Sequence, residues 1–120
     1  MMEEQYISFE TAKMAKEKGF DEICNSDYCK GLINYPDADN SYRNSEINKD
    51  GRISRPTQSL LARWLREKYG QNIYTVMSNN GKYIVWAQDI HSLFKFKTTD
   101  SYDIYEEALE AGLQEALKLI

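Results

Sequence analysis

The sequence predicts an α+β fold, with helices packed on one face of an antiparallel sheet in a single domain spanning residues 1–120. Two segments carry apolar residues at helical spacing, and an Asn80-Gly81 pair separates two β-rich runs. A further run alternates Phe94 and Phe96 with lysines, as a strand with one buried face does. We therefore expect the order α-(ββ)-α-β-β-β-α. The sheet has three strands, or four or five if the segment before the second helix contributes its own.

The first helix is predicted from its two ends. Ser8 is a suitable N-cap, and Ile7 before it can pack against Ala12 as a hydrophobic staple. The helix FETAKMAKEK then ends at Gly19, where Phe20 can fold back onto the last turn as in a Schellman motif.

Residues 21–54 are the least regular part of the sequence. The runs EIC and YCKGLINY can form short strands, which are the bracketed pair in the predicted order. The segment at about 36–48, PDADNSYRNSEIN, is polar and rich in turn-forming residues. It is either an ordered excursion or a mobile loop, and the sequence leaves that choice open.

A second helix is predicted to start near Pro56, which suits a first turn, and to end at Gly70. Its apolar residues share one face: Leu60, Leu61, Trp64, Leu65 and Tyr69. The opposite side carries Arg55, Ala62, Arg63 and Arg66. We therefore expect a core helix with a basic outer face.

A β-hairpin and a last helix follow. The Asn80-Gly81 pair predicts a tight type I′ turn between QNIYTVMS and KYIVWAQDI. In DIYEEALEAGLQEALKLI, Asp103 and Glu106 have the spacing of a capping box, and Gly112 suggests the close approach of another backbone. The apolar stripe of this helix is Tyr105, Ala108, Leu109, Gly112, Leu113, Ala116, Leu117 and Ile120. The predicted core consists of Leu61, Trp64, Leu65, Phe94, Phe96, Leu109, Leu113 and Leu117.

The segment EINKDGRISRPT, residues 46–57, has part of the pattern of a calcium-binding loop and resembles half of a dockerin repeat. Asn48, Asp50, Gly51 and Ser54 match that pattern, but Thr57 stands where a bidentate carboxylate is needed. We therefore interpret the segment as a turn at Asp50-Gly51 followed by a helix that Ser54 helps to cap. A single degenerate calcium loop is the minor alternative.

The sequence offers little for catalysis or for cofactors. Its one histidine is His91, and it has no nucleophile elbow, phosphate-binding glycine loop or zinc-protease motif. Cys24 and Cys29 are too few for a structural zinc site, which needs four ligands. A disulfide between them is geometrically possible but disfavoured in a reducing compartment, so we interpret them as two reduced thiols. We expect no enzyme activity, no metal and no cofactor. The N-terminal segment has no signal-peptide pattern and no run is apolar enough to span a membrane, so we expect a cytoplasmic protein.

Charge is distributed unevenly along the chain, whose net charge is −4. Residues 52–98 carry eight basic and two acidic side chains, whereas each flanking segment has a net charge of −5. A binding surface for a partner or a nucleic acid is therefore sought among Arg55, Arg63, Arg66, Lys95 and Lys97. The lysines, near aromatics such as Tyr83 or Trp86, could bind a single strand by stacking and charge neutralisation.

From Arg55 onward the predicted order of elements resembles that of the double-stranded-RNA-binding domain. That family has a lysine cluster at the start of its last helix, and this chain has SYDIYEEALEAG there. Acidic side chains at that position would repel phosphate, which argues against duplex binding in that mode.

Three blocks resemble a family of small uncharacterised proteins encoded by phages and prophages of gut bacteria. They are YISFETAKMAKEKGFDE (6–22), PTQSLLARWLREKYG (56–70) and YEEALEAGLQEALKLI (105–120). The resemblance implies a small cytosolic accessory protein with no family active site. We therefore expect a non-enzymatic macromolecular interaction module with a protein partner, and nucleic-acid binding is the alternative.

Overall fold

The computed structural model describes residues 5–34, 41–47, 51–89, 95–97 and 101–120, and it has the predicted α+β fold class. Its elements fall into two compact units, Met1–Thr57 (unit 1) and Gln58–Ile120 (unit 2). The assignment of the whole chain to one domain stays a prediction. In the described part of the chain, no helix has both the length and the apolar composition that crossing a membrane requires.

Unit 1 contains five elements in chain order: α1 (Phe9–Glu17), β1 (Asp27–Cys29), β2 (Leu32–Asn34), α2 (Asn44–Ile47) and β3 (Arg52–Ser54). The strands form an antiparallel sheet in the order β2-β1-β3, with Tyr28 opposite both Ile33 and Ile53. The run EIC is not a strand, since Cys24 makes only an isolated bridge to Tyr42. The short helix α2 falls within the polar excursion and was not predicted; residues 35–40 and 48–50 lie outside the described residues.

Both predicted ends of α1 are confirmed. The Oγ of Ser8 accepts a hydrogen bond from the backbone N–H of Thr11 at 3.3 Å, as an N-cap does. At the other end, Gly19 has a φ of +93°, and the N–H groups of Gly19 and Phe20 donate to the carbonyls of Lys16 and Ala15. These are the two hydrogen bonds of a Schellman motif.

Buried polar side chains link the elements of unit 1. The hydroxyl of Tyr28 donates to the carbonyl of Ile7 at 2.6 Å, and the Nδ2 of Asn44 donates to the carbonyl of Phe20 at 2.8 Å. The Oδ1 of Asn44 also accepts the N–H of Ser54 at 2.8 Å. Ser54 is therefore a buried residue of β3, and the prediction that it caps the second helix is wrong. That helix begins at Gln58, four residues later.

Unit 2 contains α3 (Gln58–Tyr69), β4 (Gln71–Met77), β5 (Tyr83–Asp89), β6 (Lys95–Lys97) and α4 (Tyr105–Lys118). The predicted three-stranded antiparallel sheet is confirmed, with the order β4-β5-β6. The predicted core residues that are buried are Leu61, Trp64, Leu65, Leu113 and Leu117. Leu109 is half-buried, and Phe94 and the side chain of Phe96 lie outside the described residues.

The β4–β5 hairpin is confirmed, but its turn is not of type I′. The N–H of Gly81 donates to the carbonyl of Ser78 at 3.0 Å, and Gly81 has a φ of +81°. Asn80 does not have the positive φ that a type I′ turn requires, since Lys30 is the one non-glycine residue with positive φ in the described ranges. The turn is therefore a type I turn followed by a glycine bulge.

The start of α4 also differs from its prediction. The N-cap is Ile104, which makes no side-chain capping hydrogen bond, so the capping box at Asp103 and Glu106 is wrong. Asp103 lies instead near the hairpin loop, with its Oδ1 3.9 Å from the Nζ of Lys82.

Gly112 marks a close approach, as predicted, but the neighbours are side chains of the sheet rather than a backbone. A Cβ at this position would overlap the Cγ1 of Val85 and would lie 3.2 Å from the Cγ2 of Ile73. Val85 is completely buried, so its side chain has little room to move. The glycine therefore sets how closely α4 packs on the hairpin.

We expect Gly112→Ala to destabilise the protein although alanine is the better helix former. The overpacking of the new methyl group against Val85 should cost roughly 1–3 kcal/mol, against a gain of about 1 kcal/mol in helix propensity. Urea unfolding of the variant measures the difference. Combining it with Val85→Ala, which makes room for the new methyl group, should cost less than the sum of the two single changes. A Gly112→Ala protein as stable as the wild type would contradict the packing.

Candidate macromolecular interface

The two faces of the β4–β5–β6 sheet differ because successive side chains in a strand alternate. Ile73 and Val85 face α4 through Gly112. The alternate residues of β4 and β5 form the other face, which we call the open face: Asn72, Tyr74, Val76, Ile84, Trp86 and Gln88. On β6, Lys97 holds the register position opposite Trp86, and Lys95 holds the one opposite Gln88.

The open face exposes large apolar side chains next to one another. Tyr74 is 49% exposed, Val76 40% and Trp86 39%. Tyr74 is the cross-strand partner of Trp86, and Val76 is that of Ile84. Cross-strand partners have their Cβ atoms about 4.5–5.5 Å apart, so the exposed groups form a contiguous patch. A patch of this kind can bind a flat or extended partner by aromatic contact.

The structure brings two of the five predicted site residues, Lys95 and Lys97, to positions beside this patch. Arg63 and Arg66 lie on α3 and are exposed, as predicted. The Nε of Arg63 is 3.8 Å from the Oε1 of Glu67, one helical turn further on. The basic residues Arg63 and Arg66 therefore lie on a helix, whereas the open face is formed by strands of the sheet.

Arg55 does not belong to the outer face of the second helix, so that prediction is wrong. It precedes the helix, and its guanidinium carbon lies 4.1 Å from the ring centroid of Tyr6 and 5.6 Å from that of Tyr28. Its Nη1 donates to the Oγ of Ser26 at 3.0 Å, and its Nε is buried without a hydrogen-bond partner among the described residues. These contacts give Arg55 a role in packing unit 1.

The aromatic residues of the open face differ in part from those that the sequence suggested. Tyr83 is not on the open face. It pairs with Met77 on the face that packs against α4, where its ring lies edge-on to that of Tyr105 with the ring centroids 5.8 Å apart. Trp86 is on the open face, as suggested, and Tyr74 was missed. The feature that could have identified Tyr74 is the pairing register of the hairpin. The predicted type I′ turn implies a register that differs from the actual one by one residue.

The calcium-loop segment has a different local structure in its described parts. Glu46 lies in α2, where its Oε1 accepts the backbone N–H of Arg43 at 2.9 Å. Arg52–Ser54 is a strand rather than the end of a loop, and Asn48 and Asp50 lie outside the described residues. Within the described ranges, no three His, Cys, Asp or Glu side chains are grouped to hold a metal ion.

Both cysteines are free thiols, and Cys24 is buried. Burial raises the pKa of the Cys24 thiol to about 12. The Sγ of Cys24 donates a hydrogen bond to the carbonyl of Glu22 at 3.6 Å. A thiol in this state is a poor nucleophile at neutral pH.

The chain matches no protein-family model, and comparison with curated proteins and with solved structures finds no significant similarity.

We expect Arg55→Ala to lower the free energy of unfolding by roughly 1–3 kcal/mol, because it removes the stacking on Tyr6 and the bond to Ser26. The matched control is Arg63→Ala, which should change stability by less than about 0.5 kcal/mol, since its ion pair is exposed. Chemical denaturation of both variants makes the comparison. Equal effects of the two substitutions would contradict a packing role for Arg55.

We expect alkylation of Cys24 by iodoacetamide to stay slow in the native protein between neutral pH and pH 9, because the raised pKa keeps the thiol protonated. The unfolded thiol has an ordinary pKa near 9.0, so the contribution of this group to stability is lost as pH rises from that value through about 12. Peptide mapping by mass spectrometry measures the rate, with urea-unfolded protein as the control. Equal rates of Cys24 labelling in native and unfolded protein would contradict this expectation.

Proposed function

We propose that this protein is a non-enzymatic module that binds another macromolecule, in the first place a protein, through the open face. The observation that carries the proposal is the contiguous exposure of Tyr74, Val76 and Trp86 on one side of a sheet whose other side packs on a helix. Tyr and Trp supply much of the binding energy at protein interfaces because they bury a large area at little entropic cost.

The biological setting is part of the same proposal. The blocks at 6–22, 56–70 and 105–120 support a small accessory protein of phage or prophage origin that acts in the cytoplasm. An accessory protein of that kind would act by occupying or bridging a partner rather than by chemistry.

The second candidate is a single-stranded nucleic acid. Two features favour it: Lys95 and Lys97 hold register positions beside the open face, and none of the six described residues of that face is acidic. Aromatic rings can stack on bases while lysines neutralise phosphates, and each stacked base contributes about 1–3 kcal/mol.

Salt dependence separates the two candidates. Fluorescence anisotropy is measured with labelled single-stranded and duplex DNA and RNA at low and near-physiological salt. A nucleic-acid ligand held by two lysines should lose affinity as salt rises, with a slope of log K against log [salt] of about −1.4. Trp86→Ser should weaken its binding by at least about fivefold, whereas Arg63→Glu should weaken it only slightly. Absence of binding at low salt would remove the nucleic-acid candidate.

A protein partner is tested with matched variants. Host lysate is passed over immobilised wild type, over a Tyr74→Ser/Trp86→Ser double variant and over Arg66→Ser as the control. A specific partner should be retained by the wild type and by Arg66→Ser, and its affinity for the double variant should fall by at least about tenfold when it is titrated in purified form. If no macromolecule distinguishes the double variant from the wild type, the open face is not the binding surface.

A further inference from the structure

The outer edge of β4 has backbone groups that are set up for a further strand. In the order β4-β5-β6, β4 lies at one edge of the sheet. The N–H of Ser78 donates to the carbonyl of Lys82 at 2.7 Å, which directs Ser78 toward β5. Because such groups alternate along a strand, the N–H and C=O groups of Ile73, Thr75 and Met77 point away from β5.

The other strand of the hairpin supports this assignment. Tyr83, the cross-strand partner of Met77, uses its N–H and C=O for hydrogen bonds with Tyr102 at 2.9 Å or less. Neither group of Tyr83 is therefore directed at β4. Among the described residues, β4 makes no backbone hydrogen bond outside its ladder with β5.

The composition of β4 does not disfavour the pairing of this edge with a strand of another chain. Its sequence, Gln-Asn-Ile-Tyr-Thr-Val-Met, contains no charged residue, no proline and no glycine. Edge strands usually carry such residues because an open edge otherwise pairs with another chain. The second half of β4 is accessible, since Met77 is 61% exposed and Tyr74 and Val76 are also exposed.

We propose that β4 pairs antiparallel with β4 of a second copy of this chain, about a twofold axis at Thr75. In this register Thr75 lies opposite Thr75 of the second copy, and Ile73 lies opposite its Met77. All three residues have outward-pointing backbone groups, so the pairing makes about six hydrogen bonds. The two three-stranded sheets become one continuous sheet.

The side chains favour the same register. Tyr74 comes to lie opposite Val76 of the second copy on the open face, and an aromatic residue opposite a β-branched one is a favourable cross-strand pair. Thr75 meets itself, and Thr–Thr pairs are also favourable. In the single chain, the Oγ1 of Thr75 is buried without a hydrogen-bond partner among the described residues. Rotation about its χ1 would give that hydroxyl a partner at the axis.

A second copy fits this edge better than an unrelated strand, because the edge is self-complementary. The outward groups lie at alternate positions symmetric about Thr75, and an uncharged strand brings no like charges together. The far edge, β6, carries Lys95 and Lys97, which disfavour the same pairing there, so assembly stops at the dimer. The paired strands bury less than the roughly 800 Å² per partner of a standard interface, so we expect a reversible dimer with micromolar dissociation.

Sedimentation velocity over a concentration series tests the proposal. The wild-type mass should rise from that of one chain, 14.0 kDa, toward twice that value. Met77→Pro and Thr75→Pro each remove an outward N–H and leave the ladder with β5 intact, so each should weaken dimerisation by at least about tenfold. The control is Asn79→Pro in the turn, where proline is favoured and dimerisation should not change.

Residue-resolved hydrogen exchange provides a readout that does not depend on the variants folding. The amides of Ile73, Thr75 and Met77 should be protected at high protein concentration and exchange at low concentration, whereas those of Tyr74 and Val76 should be protected at both. A wild type that stays monomeric overturns the proposal. So does a dimer that persists in both proline variants, or a dimer whose exchange at these three amides does not depend on concentration.

Discussion

Unit 2 is organised by how closely α4 can approach the β4–β5 hairpin. Gly112 brings the helix against Val85 and Ile73 at a distance that no larger residue permits. Because strand side chains alternate, this contact fixes which residues are covered and which are open. The exposure of Tyr74 and Trp86 thus follows from the packing of a glycine on the other side of the same strands.

The apolar composition of the open face is not needed for that packing. Burial of Ile73 and Val85 stabilises the hairpin, but Tyr74, Val76 and Trp86 keep a large fraction of their surface in water. Scattered apolar residues are common on protein surfaces and need no explanation. Here the register makes them contiguous, since Tyr74 adjoins Trp86 and Val76 adjoins Ile84. This contiguity, rather than the number of exposed residues, is what supports the proposed binding role of the face.

Sequence reasoning was accurate where the pattern is repeated over a whole element. The periodicity of α3 and α4 predicted buried residues such as Leu61 and Leu113, and the ends of α1 were marked by Ser8 and Gly19. Sequence reasoning failed where the conformation of a single residue determines the turn type and therefore the register of two strands. A turn centred on Asn80-Gly81 implies a register one residue away from the actual one, which would have put Tyr74 opposite Ala87 instead of Trp86.

The remaining errors arose at residues whose partners are distant in the chain. Ser54 has the chemistry of a helix cap, but β3 pairs with β1 and buries it, and the Oδ1 of Asn44 binds its N–H. Arg55 has the spacing of the basic helix face, but the rings of Tyr6 and Tyr28 hold it. Neither contact follows from local spacing, because each depends on which strands pair and in which order.

The same long-range contacts determine how much of the basic charge in residues 52–98 is available to a ligand. Acidic groups lie near Arg52, Arg63 and Lys82, and aromatic rings lie near Arg55 and Lys68. Beside the open face, the register of β6 places two basic residues, Lys95 and Lys97. For a single strand, two phosphate contacts would give a slope of log K against log [salt] of only about −1.4. The chain as a whole is also acidic. For the proposed binding at the open face, the balance of charge thus favours a protein over a nucleic acid, because an aromatic patch provides binding energy to a protein whether or not a strong positive field surrounds it.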